Sequence, residues 1–173
     1  MKVLITGHTS GIGKAILENA PSDYEVKGIS RTTGHDIANN LPDVLGFIKK
    51  YQPDIFFNNA WGEGNQHAIA TWFVERFQKG IMITTGSALA YAFLVDNLDD
   101  FYDGLISQPY MHYTNSKTKL LLEAYMWKVR NKEAKKVYWT NYSLGITKTG
   151  LTNRDTNGDF DPTKHKDLSL IHI

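Results

Sequence analysis

Lys2-Val3-Leu4-Ile5-Thr6-Gly7-His8-Thr9-Ser10-Gly11-Ile12-Gly13 is the stretch on which the reading of the whole chain turns. Val3 to Ile5 is an apolar run that predicts a buried strand. The run breaks at Thr6-Gly7, and a helix is expected from about Ser10, with Ile12, Ala15, Ile16 and Leu17 as its apolar residues. Glycines at 7, 11 and 13 allow a tight turn, close approach of the backbone to a ligand, and close packing of helix on sheet. The helix start aims unpaired N–H groups and a positive dipole end at whatever lies there, which suits a pyrophosphate. Glycine is common in turns of every kind. Set between a strand and a helix, these glycines favour dinucleotide binding over a purely structural turn.

With 173 residues the chain is expected to form one domain, 1–173, with a polar tail over 153–173. Its apolar and charged fractions are those of an ordinary globule. A formal net charge of +1 gives no reason to expect a nucleic-acid or anionic-membrane partner. There are no cysteines, which excludes disulfides, thiol catalysis and cysteine metal sites. The apolar run near the start is too short for a signal peptide, and no stretch is long enough to span a bilayer. A cytoplasmic protein is the expectation.

Beyond the first helix, which is expected to end near Ala20-Pro21, Tyr24 to Ser30 reads as a second strand and completes a β-α-β unit. An acidic residue at its end would bond the ribose 2′-hydroxyl of NAD and repel a 2′-phosphate. Here the strand ends Ile29-Ser30-Arg31, and Arg31 can pair with a 2′-phosphate, so NADP is favoured and NAD is the weaker expectation. His35-Asp36-Ile37 predicts a short third strand, with Asp36 either at the adenine edge or capping the next helix.

Leu41 to Tyr51 has helical spacing, with Pro42 and Asp43 in its first turn. Ile55 to Phe57 is a fourth strand, followed by Asn58-Asn59-Ala60-Trp61 at the carboxyl edge, where open α/β sheets bind ligands. A helix over Gln66–Gln78, a fifth strand at Met82–Thr84, a helix from Tyr113 through Lys128 and a sixth strand at Val137–Tyr142 complete the pattern. The aspartates among the aromatic residues of 88–112 lack the spacing of a cation loop and read as a solvated surface, so no metal site is expected.

Tyr113 and Lys117 stand one helical turn apart. A free tyrosine titrates near pH ~10, and a neighbouring ammonium favours the phenolate, which is the tuning a general acid/base requires. Ser87, ending the fifth strand, could hydrogen-bond the same substrate oxygen. On these residues the chain resembles the short-chain dehydrogenase/reductase family. Thr6 through Gly13 matches its TGxxxGxG motif, and Asn58-Asn59-Ala60-Trp61 matches NNAG except at Trp61. Ile83-Thr-Thr-Gly-Ser87 is similar to the strand bearing the catalytic serine. Tyr113-x-x-x-Lys117 is similar to YxxxK, and Leu144-Gly145-Ile146-Thr147-Lys148-Thr149 resembles the PG-plus-threonine segment.

The resemblance implies a Rossmann-type doubly wound parallel sheet of about six strands, ordered 3-2-1-4-5-6, with abbreviated helices and C-terminal lobe. It implies an NADP(H)-dependent oxidoreductase acting on a small carbonyl or alcohol. Tyr113 would be the proton donor or acceptor, Ser87 the polarising hydroxyl, and Lys117 the residue that binds the nicotinamide ribose and tunes Tyr113. Cofactor contacts would come from Gly7, Thr9, Ser10, Gly11, Ile12, Gly13, Arg31, Asp36, Ile37, Asn59, Ala60, Trp61, Tyr113, Lys117, Gly145, Ile146 and Thr149.

The departures are specific. The chain is shorter than the family's usual length, and the link from Arg31 to Asp36 cannot hold the customary helix. The region between Trp61 and Ile81 supplies no residue for the family's catalytic asparagine. That region has space for one helix only, and the helix lost from it commonly builds the family's dimer interface, so monomer and homo-oligomer both stay open. Two rival readings follow: a non-catalytic NADP-binding sensor or interaction module, and an epimerase or dehydratase of nucleotide sugars.

Overall fold

The computed structural model describes residues 1–87 and 137–144. The expected helix from Tyr113, the segment 88–112, the tail from Asn153, and the candidates Tyr113, Lys117, Gly145, Ile146 and Thr149 lie outside them. Among the described residues the elements run β1 (Lys2–Thr6), α1 (Gly11–Glu18), β2 (Glu25–Ile29), α2 (Leu41–Tyr51), β3 (Ile55–Asn58), α3 (Asn65–Arg76), β4 (Ile81–Ser87) and β5 (Tyr138–Leu144). All pairings are parallel, in the order β2-β1-β3-β4-β5. This is the Rossmann-like α/β architecture.

Right-handed crossovers put α1 on one face of the sheet and α2 and α3 on the other. Strand alternation divides the side chains accordingly. Leu4, Phe56 and Met82 stand in register across β1, β3 and β4 and share one face. With Ile29 they join Val44, Ile48 and Tyr51 of α2 and Ile69, Ala70 and Phe73 of α3 in a single buried cluster. Phe73 stacks on Phe77 at 4.0 Å and tilts against Phe56 at 5.1 Å between ring centroids. Val3 and Ile5 point to the α1 face and are also buried.

The expected third strand is a correction. His35-Asp36-Ile37 forms no strand, so the described sheet has five strands and lacks the outermost of the six expected. The link that follows β2 is shorter than the roughly dozen residues a parallel crossover needs. Its sequence also closes on itself. Ser30 and Thr33 form a reciprocal capping box around a 3-10 turn, Arg31–Thr33, and Gly34 ends it in the left-handed region at φ 83°. The Thr33 and His35 N–H groups both donate to the Ser30 carbonyl, at 3.0 and 2.9 Å. Asp36 accepts from the Ala38 N–H at 2.9 Å and from the Asn39 amide at 2.8 Å. Backbone groups that would pair in a ladder are spent within the turn.

Tyr51 joins the end of α2 to the sheet, donating its hydroxyl proton to the Glu25 carbonyl at 2.8 Å. The ammonium groups of Lys27 and Lys2 lie over its ring, 4.9 and 5.6 Å from the centroid. Burial, with the Glu25 and Asp54 carboxylates nearby, pushes the phenol up to about 12 from its usual 10.0. The folded chain therefore holds this proton more tightly than the unfolded chain does. The resulting stabilisation is complete below pH ~10 and is lost as pH rises towards about 12. Tyr51→Phe is expected to cost about 0.5–1.5 kcal/mol at neutral pH in denaturant unfolding. The difference between wild type and variant should shrink across that alkaline window.

Candidate functional site

The polypeptide reverses direction across the sheet between β1 and β3, because β1 connects outward to β2 and the chain then returns to β3. Open α/β sheets bind ligands at the carboxyl end of such a junction. Thr6 closes the junction here. Fully buried, its hydroxyl accepts the N–H groups of Asn59 at 2.8 Å and Ala60 at 2.9 Å, and donates to the Phe57 carbonyl at 3.3 Å. The Asn59 amide returns a bond to the Thr6 carbonyl at 3.0 Å. One hydroxyl thus ties the end of β1 to the turn after β3.

The glycines fit around this tie. Gly7 has φ 71°, and a Cβ there would sit 3.1 Å from that of Ala60. A Cβ on Gly13 would overlap the Gly7 carbonyl and lie 2.9 Å from the Asn59 amide. Gly11 begins α1 at φ 53°. Ser10 precedes it in extended conformation and makes no side-chain cap, and the first turn holds no acidic residue. The N–H groups at the helix start therefore face no side chain of their own, which leaves them to an anion. Thr9 and Ser10 are exposed, and Ile12 is half-buried. The His8 ring lies against β2, where a Cβ on Gly28 would overlap it.

At the end of β2, Arg31 is exposed and forms no ion pair among the described residues. Ser30 and Thr32 hydroxyls bond each other at 2.9 Å beside it. The Asn39 amide on its carboxylate, with the Ala38 and Asn39 N–H groups and the charge of Arg31, holds Asp36 below its usual range against some burial. Asp36 does not cap α2, whose N-cap is Asn40. Ile37 is buried in the core, against Gly62.

Beyond Ala60, half-buried Trp61 leads into a 3-10 turn, Gly62–Gly64, which passes directly into α3. The Asn65 amide donates to the Ile37 carbonyl at 2.8 Å, tying the α3 start to the loop after β2. Ser87 ends β4 opposite Leu144, so the strand carries this candidate to the same edge as the glycine loop.

The residue that sequence reasoning missed is Gln66. It is 2% exposed, and its amide donates to the Asn58 carbonyl, while the Asn58 amide donates to the Gln66 carbonyl at 2.7 Å. A signal for it existed. Gln66 stands at the head of the buried stripe Ile69, Ala70, Phe73, at spacings of three, four and seven, where an apolar residue belongs.

No protein-family model and no curated protein matches the chain. Solved structures do. The GDP-L-fucose synthetase of Naegleria fowleri bound to NADP is similar at TM-score 0.64 and 16% identity, over 84% of this chain and 54% of that one. A GDP-mannoheptose C4 reductase of Campylobacter jejuni with NADP bound gives 0.62 and 15%, over 84% and 51%. The 3-alpha-hydroxysteroid dehydrogenase of a Pseudomonas species complexed with NADH gives 0.61 and 19%, over 91% and 78%. This chain spans about half the length of the first two. At these identities the likeness establishes a shared fold.

Thr6→Val keeps the shape of the side chain and removes its hydroxyl, leaving the Asn59 and Ala60 N–H groups without their acceptor. It is expected to destabilise the protein by about 1–3 kcal/mol, measured by denaturant unfolding.

Proposed function

We propose that the chain is an NADP(H)-dependent oxidoreductase of the short-chain type, acting on a small carbonyl or alcohol. The observation that carries this reading is the cradle at the β1–β3 junction. The close packing of Gly7 and Gly13 on Asn59 and Ala60, the N–H groups at the start of α1 that Ser10 leaves uncapped, and an Arg31 with no ion pair among the described residues meet on one sheet edge. Each element suits one part of NADP. The α1 start would hold the pyrophosphate, and Arg31 beside the Ser30 and Thr32 hydroxyls would hold the 2′-phosphate. Asn59 and Ala60 would line the middle of the site. The likeness to a GDP-L-fucose synthetase and a GDP-mannoheptose C4 reductase, both with NADP bound, supports the same cofactor.

When bound, such a cofactor supplies hydride from or to its nicotinamide C4. The chain would supply the proton and the geometry. Tyr113 would give a proton to the substrate oxygen in reduction and take it in oxidation. The Lys117 ammonium would stabilise the phenolate form of Tyr113. Ser87 would donate a hydrogen bond to the same oxygen and orient the carbonyl. The substrate is a small molecule, and the cytoplasm is the compartment where NADPH would serve it.

A second reading has an observation of its own. The abbreviated link after β2 and the likeness to enzymes of GDP-linked sugars favour a nucleotide-sugar substrate, with epimerase or dehydratase chemistry as the extreme case. Tightly retained cofactor that emerges unchanged after turnover would select it.

Titration with NADPH and, separately, NADH, followed by tryptophan fluorescence or calorimetry, tests the cofactor assignment. NADPH should bind more tightly than NADH, and Arg31→Ala should weaken NADPH by roughly 10- to 100-fold while leaving NADH nearly unchanged. Binding of neither nucleotide would reduce the glycine loop to scaffold and overturn the proposal.

A further inference from the structure

The carboxyl ends of β3 and β4 are held together by a buried carboxamide. Gln66 stands in the first turn of α3, and its Nε2 faces oxygens from both strands: the Asn58 carbonyl of β3, and the Thr85 carbonyl and hydroxyl of β4 at 3.5 and 3.4 Å. The Thr85 hydroxyl donates in turn to the Asn59 carbonyl at 3.0 Å. Asn59 is the residue whose N–H and amide meet Thr6. A chain of hydrogen bonds therefore runs from the end of β1, through the turn after β3, to β4 two residues before Ser87. Asn58, Gln66 and Thr85 are all at least nine-tenths buried.

Such a network is costly unless it fixes something, because each buried polar group must find partners in the fold. Apolar residues at 58, 66 and 85 would join β3, β4 and α3 at lower cost. The ladder already pairs Asn58 with Thr84, and what the carboxamide adds is a tie from α3 to both strands where that pairing ends. Its Nε2 has acceptors on both strands, and the Asn58 amide, bonded to the Gln66 main-chain carbonyl at 2.7 Å, holds the start of α3 against β3.

We propose that Gln66 is a positioning residue that sets the half of the site lying over β3 and β4, leaving the half over β1 and β2 to the glycine loop and Arg31. This rests on the dinucleotide reading above, in which the cofactor lies across the junction with its adenosine end toward β2. The nicotinamide end then falls over the strand ends that Gln66 braces. In that reading Gln66, being buried, would not touch the cofactor and would act on Asn59 through Thr85 and on the β4 end.

Two probes separate the halves. NADPH engages the whole site, whereas 2′,5′-ADP carries only the adenosine and 2′-phosphate end. Gln66→Met fills the space without the donor. It should weaken NADPH about tenfold and leave 2′,5′-ADP within about twofold of wild type. Tyr51→Phe, which loosens the fold far from this edge, should change neither affinity when both proteins are measured well below their unfolding midpoints. If Gln66→Met does not fold, Gln66→Asn carries the same test, because its amide is one methylene too short to reach β4.

Equal weakening of both probes, or of neither, would overturn the positioning role. Failure of the wild-type protein to bind either probe is a different result. It would overturn the dinucleotide reading itself.

Discussion

A single hydroxyl group ties the end of β1 to the turn after β3. Parallel ladder bonds join β1 to β3 as far as Ile5 and Phe57, and beyond that register the two chains must separate, one into the glycine loop and the other towards α3. The Thr6 side chain spans this opening with two accepted bonds and one donated bond. Gly7 then begins its turn in contact range of Ala60, and the Gly7 N–H still reaches the Ile29 carbonyl of β2 at 2.8 Å. Three strand ends are thereby set relative to one another before any ligand arrives. That is preorganisation in a literal sense, since the cost of ordering the loop is met on folding.

The sheet carries its apolar and polar demands at different heights. Its middle, at Leu4, Phe56 and Met82, is dry and aromatic-lined, and packs on α2 and α3. Its carboxyl edge buries Thr6, Asn58, Gln66, Thr84 and Thr85 instead. Trp139 of β5 joins this level through its indole N–H, 3.3 Å from the Thr84 hydroxyl. Neither the Asn58 Oδ1 nor the buried Nδ1 of His8 has a hydrogen-bond partner among the described residues. The core supplies stability, while the polar layer determines where the strand ends lie.

Much of this was legible in the amino acids. Apolar runs at Val3–Ile5 and Ile55–Phe57, and the helical spacing from Leu41 with Pro42 in its first turn, marked elements that formed within a residue or two of expectation. These segments announce themselves because burial on a strand or one helix face imposes a period. The third strand misled because Ile37 is indeed buried, yet as a loop residue beneath Gly62. An apolar side chain suits burial in a loop as well as in a strand, and the backbone pairing expected of it does not form. Ser30 and Thr33 already had the spacing of a self-bonding turn, and hydroxyl and carboxylate groups compete for the backbone donors a strand would use. The site divides similarly. Glycines and Arg31 were visible because their types are unusual for their places, whereas the roles of Thr6 and Gln66 depend on partners far away in sequence, and no local spacing encodes those.

The missing strand leaves β2 with a neighbour on one side only among the described strands. Unpaired edges invite the strands of other molecules, and proteins commonly blunt them with charge and brevity. Here β2 is five residues long, and Glu25 and Lys27 alternate along it, bridged at 3.8 Å. Lys27 bends over Tyr51, so its charge stays at the rim of the α2 face. The self-closed turn at Ser30 ends the ladder on one side, and the turn before Glu25 ends it on the other. An incoming strand would find few backbone groups to pair with and would have to desolvate a charged pair to reach them. The short link that leaves this edge without the expected strand among the described residues is thus matched by an edge that offers a further strand little to pair with.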